Sequence, residues 1–211
     1  NSLLNPSKQP RLGLGFMIAS TLAFLTKLKI LSITDSLIDQ LFKYLKKNNQ
    51  KYSEDVPTKY NQSKKLALIF KDKIVNFIAA EFLEGTIHTV SNPINETGKH
   101  FAGYFILPEL NHHLLEGLQF PKILSQSSLF SLIESSLYSQ KIKKRLKLTR
   151  DVILNNNIQT VDIKLTAVTQ TEQVFELIQL MNFVSFYLAI IHNTNPAQVP
   201  WVDYFKEKIK N

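Results

Sequence analysis

Apolar residues recur at helical spacing through the first third of the chain. Residues 11–31 form a long apolar stretch of helical character, and residues 37–47 carry apolar side chains at every third or fourth position. Thr34 and the two residues after it offer a helix N-cap ahead of the second stretch. Asn61 is placed to cap a third, shorter helix that ends at Phe70. The pattern therefore predicts three helices before any strand.

The period of the pattern changes after Phe70. Residues 73–80 form a short apolar run after a charged turn, which is typical of a buried strand. Serines weaken a similar run at residues 127–133, whereas β-branched and polar residues alternate clearly at 158–165. Helical stretches separate and follow these runs, at residues 141–154, 172–192 and 200–209. This alternation predicts an α/β fold, a three-layer sandwich in which a mainly parallel sheet is flanked by helices.

Composition narrows the class of protein. The chain has 211 residues, 44% of them hydrophobic, and can bury one good core. Its longest apolar runs are too short or too interrupted to span a bilayer, and no signal peptide is visible. Cysteine is absent, which excludes disulfides and thiolate chemistry. Cysteine usage does not identify the compartment, so we take the cytoplasm as the default location and expect no membrane partner.

The net charge of +8 raises the question of an anionic partner. The most basic stretch, residues 141–150, alternates with apolar residues at helical spacing and contains no aromatic residue. That pattern favours the solvent-exposed face of a helix over a surface that stacks nucleic-acid bases. We therefore expect no nucleic-acid partner.

Residues able to transfer protons are concentrated between positions 95 and 113. Glu96 lies in a polar segment, and Glu109 precedes the adjacent pair His112 and His113. A carboxylate and an imidazole can together shuttle protons near neutral pH. A proline and an asparagine place the histidines beside a turn, where side chains can face a cleft. On spacing alone, ordinary cap and loop residues remain the favoured interpretation.

Sequence blocks add a resemblance that spans nearly the whole chain. Asn-Glu-Thr-Gly-Lys at residues 95–99 is similar to Asn-Glu-Asn-Ala-Lys, and Leu-Pro-Glu-Leu-Asn-His stands at residues 107–112. Both resemble blocks in the C-terminal half of bifunctional phosphoglucose/phosphomannose isomerases, which are built from two sugar-isomerase (SIS) domains. Four further blocks in the same order resemble this family, at residues 10–16, 61–67, 183–189 and 199–206. The resemblance implies an SIS fold and aldose–ketose isomerisation of hexose 6-phosphates, namely glucose 6-phosphate, fructose 6-phosphate and mannose 6-phosphate.

The resemblance also implies roles for three residues. Glu96 corresponds to the base that moves a proton between C2 and C1 of the open sugar through an enediolate. His112 corresponds to the histidine that assists ring opening and comes from the partner subunit of a dimer. Lys206 corresponds to the lysine of the closing helix, a cation that steadies developing charge. This chemistry needs no metal and no cofactor.

The chain departs from the family pattern near these residues. His113 and Leu114 replace an asparagine and a glutamate, and Pro93 stands where a glutamine is common. Residues 195–198 lack a threonine that the family links to mannose-phosphate activity. These departures bear on substrate preference and leave a second interpretation open, a non-catalytic SIS-type module that binds a sugar phosphate or dimerises.

The phosphate-binding loop of the family has no counterpart in this chain. The chain has six glycines, and no glycine-rich loop opens a helix after a predicted strand. In the family, that loop belongs to the N-terminal SIS domain. We therefore expect residues 1–61 to hold linking helices and residues 62–211 to form the C-terminal SIS domain. The N-terminal SIS domain would belong to the same parent protein, and the isolated chain would be inactive.

Overall fold

The computed structural model describes residues 13–210, which form two compact units. The first unit ends at Lys47 and the second begins at Asn48. The helices are, in order, α1 (Leu14–Lys27), α2 (Asp35–Tyr52), α3 (Gln62–Phe70), α4 (Glu84–Glu96), α5 (Leu110–His113), α6 (Leu124–Ser127), α7 (Gln140–Asn155), α8 (Gln170–Ile191) and α9 (Pro200–Ile209). Short 3-10 turns lie at Thr58–Tyr60, Glu81–Leu83 and Glu116–Gln119.

The first two helices confirm the apolar pattern but not its limits. The start of the first predicted helix, residues 11 and 12, lies outside the described residues, and α1 ends before Lys29, which has a φ of 59°. Thr34 Oγ1 accepts a hydrogen bond from the backbone N–H of Leu37 at 3.3 Å, as the predicted N-cap requires. Helix α2 continues five residues beyond its predicted end, because Asn48 and Tyr52 are buried there despite the polar sequence.

All four strands of the sheet run parallel. They are β1 (Ile74–Ala80), β2 (Ala102–Leu107), β3 (Ser128–Glu134) and β4 (Gln159–Lys164), in the spatial order β2-β1-β3-β4. The central strands β1 and β3 are almost wholly buried, as expected when both faces of a parallel sheet are covered. The three strands expected from the sequence are confirmed as β1, β3 and β4, and β2 is an addition.

Two connecting helices cover opposite faces of the sheet. Helix α4 links β1 to its outer neighbour β2, and α7 links β3 to its outer neighbour β4. The two connections therefore run toward opposite edges of the sheet. Right-handed crossovers in opposite directions place these helices on opposite faces. Helices α3 and α4 both pack against α8, and α7 packs on β3 and β4. The predicted three-layer α/β sandwich is confirmed.

Side-chain caps fix where the long helices of this unit begin. Asn61 Oδ1 accepts a hydrogen bond from the N–H of Lys64 at 3.1 Å, which confirms the predicted cap of α3. Ser139 caps α7 in the same way. Thr169 and Glu172 form a reciprocal capping box at the start of α8. Each cap satisfies a backbone N–H that has no partner within the first turn of its helix.

Helix α8 was predicted nearly in full, but its apolar stretch is longer than the sequence interpretation allowed. The most apolar 18 of its 22 residues have a mean hydropathy of 1.8, enough by length and composition alone to cross a bilayer. Half of that stretch is buried inside the protein, including Leu177, Leu180 and Val184. Its apolar character is therefore explained by its place in the core.

A candidate active-site groove beside helix α4

Asn95 fixes the end of helix α4 against the start of strand β2. Its side-chain amide donates to the carbonyl oxygens of Ser91 at 2.9 Å and Ala102 at 2.8 Å. Its Oδ1 accepts a hydrogen bond from the N–H of Ala102 at 3.1 Å. These three bonds hold the last turn of α4, and therefore Glu96, at a fixed position relative to the sheet.

The turn that follows Glu96 is tightly folded. The N–H groups of Thr97 and Gly98 both donate to the carbonyl oxygen of Pro93 at 2.9 Å. Lys99 adopts a left-handed conformation with a φ of 52°, and its Nζ donates to the carbonyl oxygen of Glu96 at 2.5 Å. The turn returns the chain to β2 within five residues and places Lys99 beside Glu96.

Glu96 opens onto a groove with a volume of about 630 Å³. One wall is the turn after α4, with Glu96, Lys99, His100 and Phe101. The other wall is the segment between α8 and α9 together with the first turn of α9, including Trp201. Glu96 is half-buried, whereas Phe101 and Trp201 are largely exposed. The groove thus combines a carboxylate, a cation and two aromatic rings, a set that suits a polar ligand with an apolar face.

A pair of histidines, His100 buried and His192 partly buried, joins the two walls of this groove. His100 Nδ1 lies 3.1 Å from His192 Nε2, and the two rings are nearly parallel. His100 Nε2 lies 2.7 Å from the carbonyl oxygen of Lys73, just before β1. Burial lowers the pKa of His100 below its usual value of 6.5, and the nearby His192 adds to this, while the Lys73 hydrogen bond and Asp72 oppose it.

Glu96 lies at the end of the sheet where strand β2 begins, whereas His112 lies at the end where β2 finishes. Glu96 precedes β2, whereas His112 follows it in the short helix α5. The six residues of β2 place its two ends about 17 Å apart, at about 3.3 Å per residue. The His112 side chain is exposed. One chain therefore does not bring Glu96 and His112 together.

The segment that carries His112 is anchored to helix α7. Asn111 Nδ2 donates to Thr149 Oγ1 at 2.8 Å, and Arg145 donates to Asn111 Oδ1 at 3.2 Å. His113 lies 3.6 Å from the exposed carboxylate of Glu109. These contacts fix α5 and leave His112 facing outward.

Lys206 lies on α9, one turn beyond the residues that line the groove. Trp201 and Val202, in the first turn of this helix, contribute to the groove, whereas Lys206 does not. Every residue of α9 is exposed. The structure therefore brings the helix that carries Lys206 to the groove but not the lysine itself.

Sequence reasoning missed His100, His192 and Trp201 as residues of this region. His100 lies inside the stretch that was singled out, but its partner His192 is 92 positions away. No spacing rule joins residues so distant without an alignment. Among residues 13–210, no group of three or more histidines, aspartates or glutamates is arranged to hold a metal ion.

The chain is similar in sequence to two bacterial proteins that are described as bifunctional phosphoglucose/phosphomannose isomerases. A bifunctional phosphoglucose/phosphomannose isomerase of Caldicellulosiruptor bescii is 26% identical over 205 residues, covering 95% of this chain and 60% of that protein. The Aquifex aeolicus protein with the same description is 23% identical over 206 residues, covering 96% of this chain and 59% of that protein. The chain thus spans about 60% of the length of these relatives.

Solved structures agree on the fold. A glucose-6-phosphate isomerase like protein from Thermus thermophilus superposes with a TM-score of 0.63 at 15% identity, covering 74% of this chain and 52% of that one. A family profile described as the bacterial phospho-glucose isomerase C-terminal SIS domain matches residues 59–209, well over half of the chain. The chain belongs to the family of bacterial phosphoglucose isomerase C-terminal SIS domains.

Proposed function

We propose that the protein containing this chain isomerises hexose 6-phosphates between aldose and ketose forms, with this chain supplying the C-terminal half of the site. Glu96 acts as the base: it takes the proton from C2 of the open aldose and returns it to C1 of the enediolate. The single observation that supports this most is the placement of the Glu96 carboxylate on a groove, at a helix end fixed by Asn95. A base with fixed geometry is what proton transfer between adjacent carbons requires.

The separation of Glu96 and His112 supports a site shared between two chains. A catalytic acid must approach its substrate atom within hydrogen-bond reach, about 3 Å. His112 of the same chain lies at the opposite end of strand β2 from Glu96. We therefore assign ring opening at the groove to the partner's copy of that residue. Its exposure on α5 leaves it accessible to a second subunit. The working unit in this proposal is a homodimer.

The parent protein would complete the site from residues outside this chain. The relatives are longer, with about 40% of their length beyond the matched region. We assign phosphate binding to an N-terminal SIS domain in that part, with residues 1–61 as linking helices and residues 62–211 as the C-terminal domain. Lys206 would reach the sugar only if α9 moved or turned, since it lies outside the groove.

Glucose 6-phosphate to fructose 6-phosphate conversion in the longer parent protein tests the role of Glu96, with mannose 6-phosphate assayed alongside. Glu96→Gln keeps the side chain's shape and removes the base, so we expect kcat to fall by roughly 10²- to 10⁴-fold with KM nearly unchanged. Glu84→Gln is the matched control, because this exposed glutamate opens the same helix away from the groove. Turnover in Glu96→Gln equal to the control would refute the assignment.

A mixed dimer tests the sharing of the site. Glu96→Gln and His112→Gln subunits, co-expressed and assembled together, should regain activity that neither pure variant shows, because one of the two sites is then intact. Full loss in the mixed dimer, with an active wild type, would place both residues in one subunit's site.

Binding of sugar phosphate without turnover by the wild-type parent would favour the alternative, a non-catalytic SIS module.

A further inference from the structure

We propose that His100 and His192 act as a positioning pair that holds the two walls of the Glu96 groove in register. The kinetic part of this proposal rests on the proposed isomerase function. The structural part rests on the geometry of the pair alone and can be tested without any substrate.

Hydrogen-bond geometry fixes the protonation of His100. A carbonyl oxygen can only accept, so the 2.7 Å contact with Lys73 requires a hydrogen on His100 Nε2. In a neutral imidazole the other nitrogen then accepts, and the 3.1 Å contact requires a hydrogen on His192 Nε2. His100 is only 8% exposed, so water offers little replacement for either bond.

The pair joins three segments that are distant in sequence. His100 belongs to the turn between α4 and β2 and lines the groove together with its neighbours Lys99 and Phe101. Lys73 precedes β1, one of the two central strands. His192 ends α8, where its backbone N–H donates to the carbonyl of Leu188 at 2.9 Å. One relay of two hydrogen bonds therefore ties the Glu96 wall to the sheet and to the opposite wall.

The segment after His192 is held by this end of α8. The backbone N–H of Thr194 donates to the carbonyl of Ala189 at 2.9 Å, and Asn195 Oδ1 accepts from the N–H of Ala197 at 2.9 Å. These bonds restrain the backbone of the short segment that precedes α9, which begins at Pro200. A shift of His192 would therefore move the wall that carries Trp201.

Both nitrogens of His100 are occupied by protein partners, which argues for positioning rather than proton transfer to a ligand. The charged group that acts on His100 is Asp72, beside Lys73, while Glu96 and Lys99 line the same groove as His100. A second proton on His100 would sit on Nδ1 and face the Nε2–H of His192. With His192 in its Nε2–H tautomer, only a neutral His100 can close the relay, because its Nδ1 must accept that hydrogen.

Imidazole NMR of the 211-residue chain tests the geometry directly. We expect Nε2–H tautomers for both histidines, with a hydrogen-bonded and slowly exchanging Nε2 proton on His100. An Nδ1–H tautomer for His100, or a His100 pKa that is not lowered from its usual value, would overturn the pairing.

Two substitutions separate the donor from the shape of His192. Gln places an amide donor near the position of Nε2, whereas Phe keeps a flat ring without a donor. Trp201 is the single tryptophan of the chain and lines the same groove, so its emission and its quenching by iodide report on that wall. We expect His192→Phe to change both, and His192→Gln and the surface control His88→Gln to match the wild type. Equal behaviour of the Phe and Gln variants would overturn the proposal.

The same variants in the longer parent test the effect on the groove's chemistry. We expect His192→Phe to lower kcat/KM for sugar phosphate by about 10- to 100-fold, as a small misplacement of reacting groups does, with His192→Gln within a few fold of wild type. Positioning predicts a larger loss in kcat than in KM. If the wild-type parent has no isomerase activity, the proposed function fails while the NMR and Trp201 results still decide the pairing.

Discussion

Gly98 is the residue at which packing most directly controls the position of the Glu96 turn. A Cβ at this position would lie 2.7 Å from the carbonyl oxygen of Ile94 and 3.2 Å from that of Ser185 on α8. Ordinary contact starts near 3.4 Å, and both neighbours are backbone atoms, so the turn would have to move away from Ile94 of α4 by about 0.7 Å and from α8 by about 0.2 Å. Overpacking of this kind costs about 1–3 kcal/mol, which predicts that Gly98→Ala destabilises the second unit by that amount.

Thermal unfolding of the 211-residue chain, followed by far-UV circular dichroism, measures the effect. For a unit of this size each kcal/mol corresponds to roughly 2–4 °C, so Tm should fall by about 2–12 °C. Gly85→Ala is the matched control, because no atom lies within 4 Å of its Cβ position and it stands in the first turn of α4. There alanine should be neutral or stabilise by up to about 1 kcal/mol. Equal Tm values for the two variants would refute the packing argument.

Two further predictions concern charged groups. Arg150 donates to Glu134 and to Asp162 on the neighbouring strands β3 and β4. Arg150→Met should lower the free energy of unfolding by about 1–2 kcal/mol in urea titrations, and the loss should shrink at high salt because these groups are partly exposed; an unchanged urea midpoint at low salt would contradict it. His100 has a pKa lowered by burial, so the unfolded chain binds more protons once the pH falls below 6.5. Its stabilising contribution is complete above that pH and is lost as the pH falls toward the folded pKa. The loss is at most about 1.4 kcal/mol per pH unit. His100→Asn should therefore show a flatter fall in stability between about pH 7.5 and 5.5 than the wild type, and parallel curves would contradict the assignment.

Most of the fold follows from local patterns. Strand β1 lies in an apolar run that follows a turn, and β4 lies in a run of alternating β-branched residues. Each of these patterns predicts a strand. The cap of α3 by Asn61 is equally local, since it needs only the residues from 61 to 64. Where the physical cause lies within a few residues, sequence alone identifies the element.

The elements that were missed depend on distant contacts. Helix α4 contains Gly85 and Pro93, which weaken its pattern, and it is stabilised by packing on α8. Strand β2 is at the edge of the sheet, begins beside a glycine and has a mixed burial pattern. Tertiary packing overrides propensity in both cases. The same holds for the contact between His100 and His192, which exists only once α8 has docked.

The Asn95–Glu96 block shows how one short motif serves structure and chemistry through adjacent residues. Successive positions on a helix point about 100° apart, so Asn95 can face β2 while Glu96 faces the groove. The three hydrogen bonds of Asn95 both end α4 and start β2 at Ala102. A base that must hold one position relative to its substrate gains from such an anchor, because reorganisation during the reaction is avoided. The hydrogen bonds that start strand β2 are therefore the same ones that fix the carboxylate beside it.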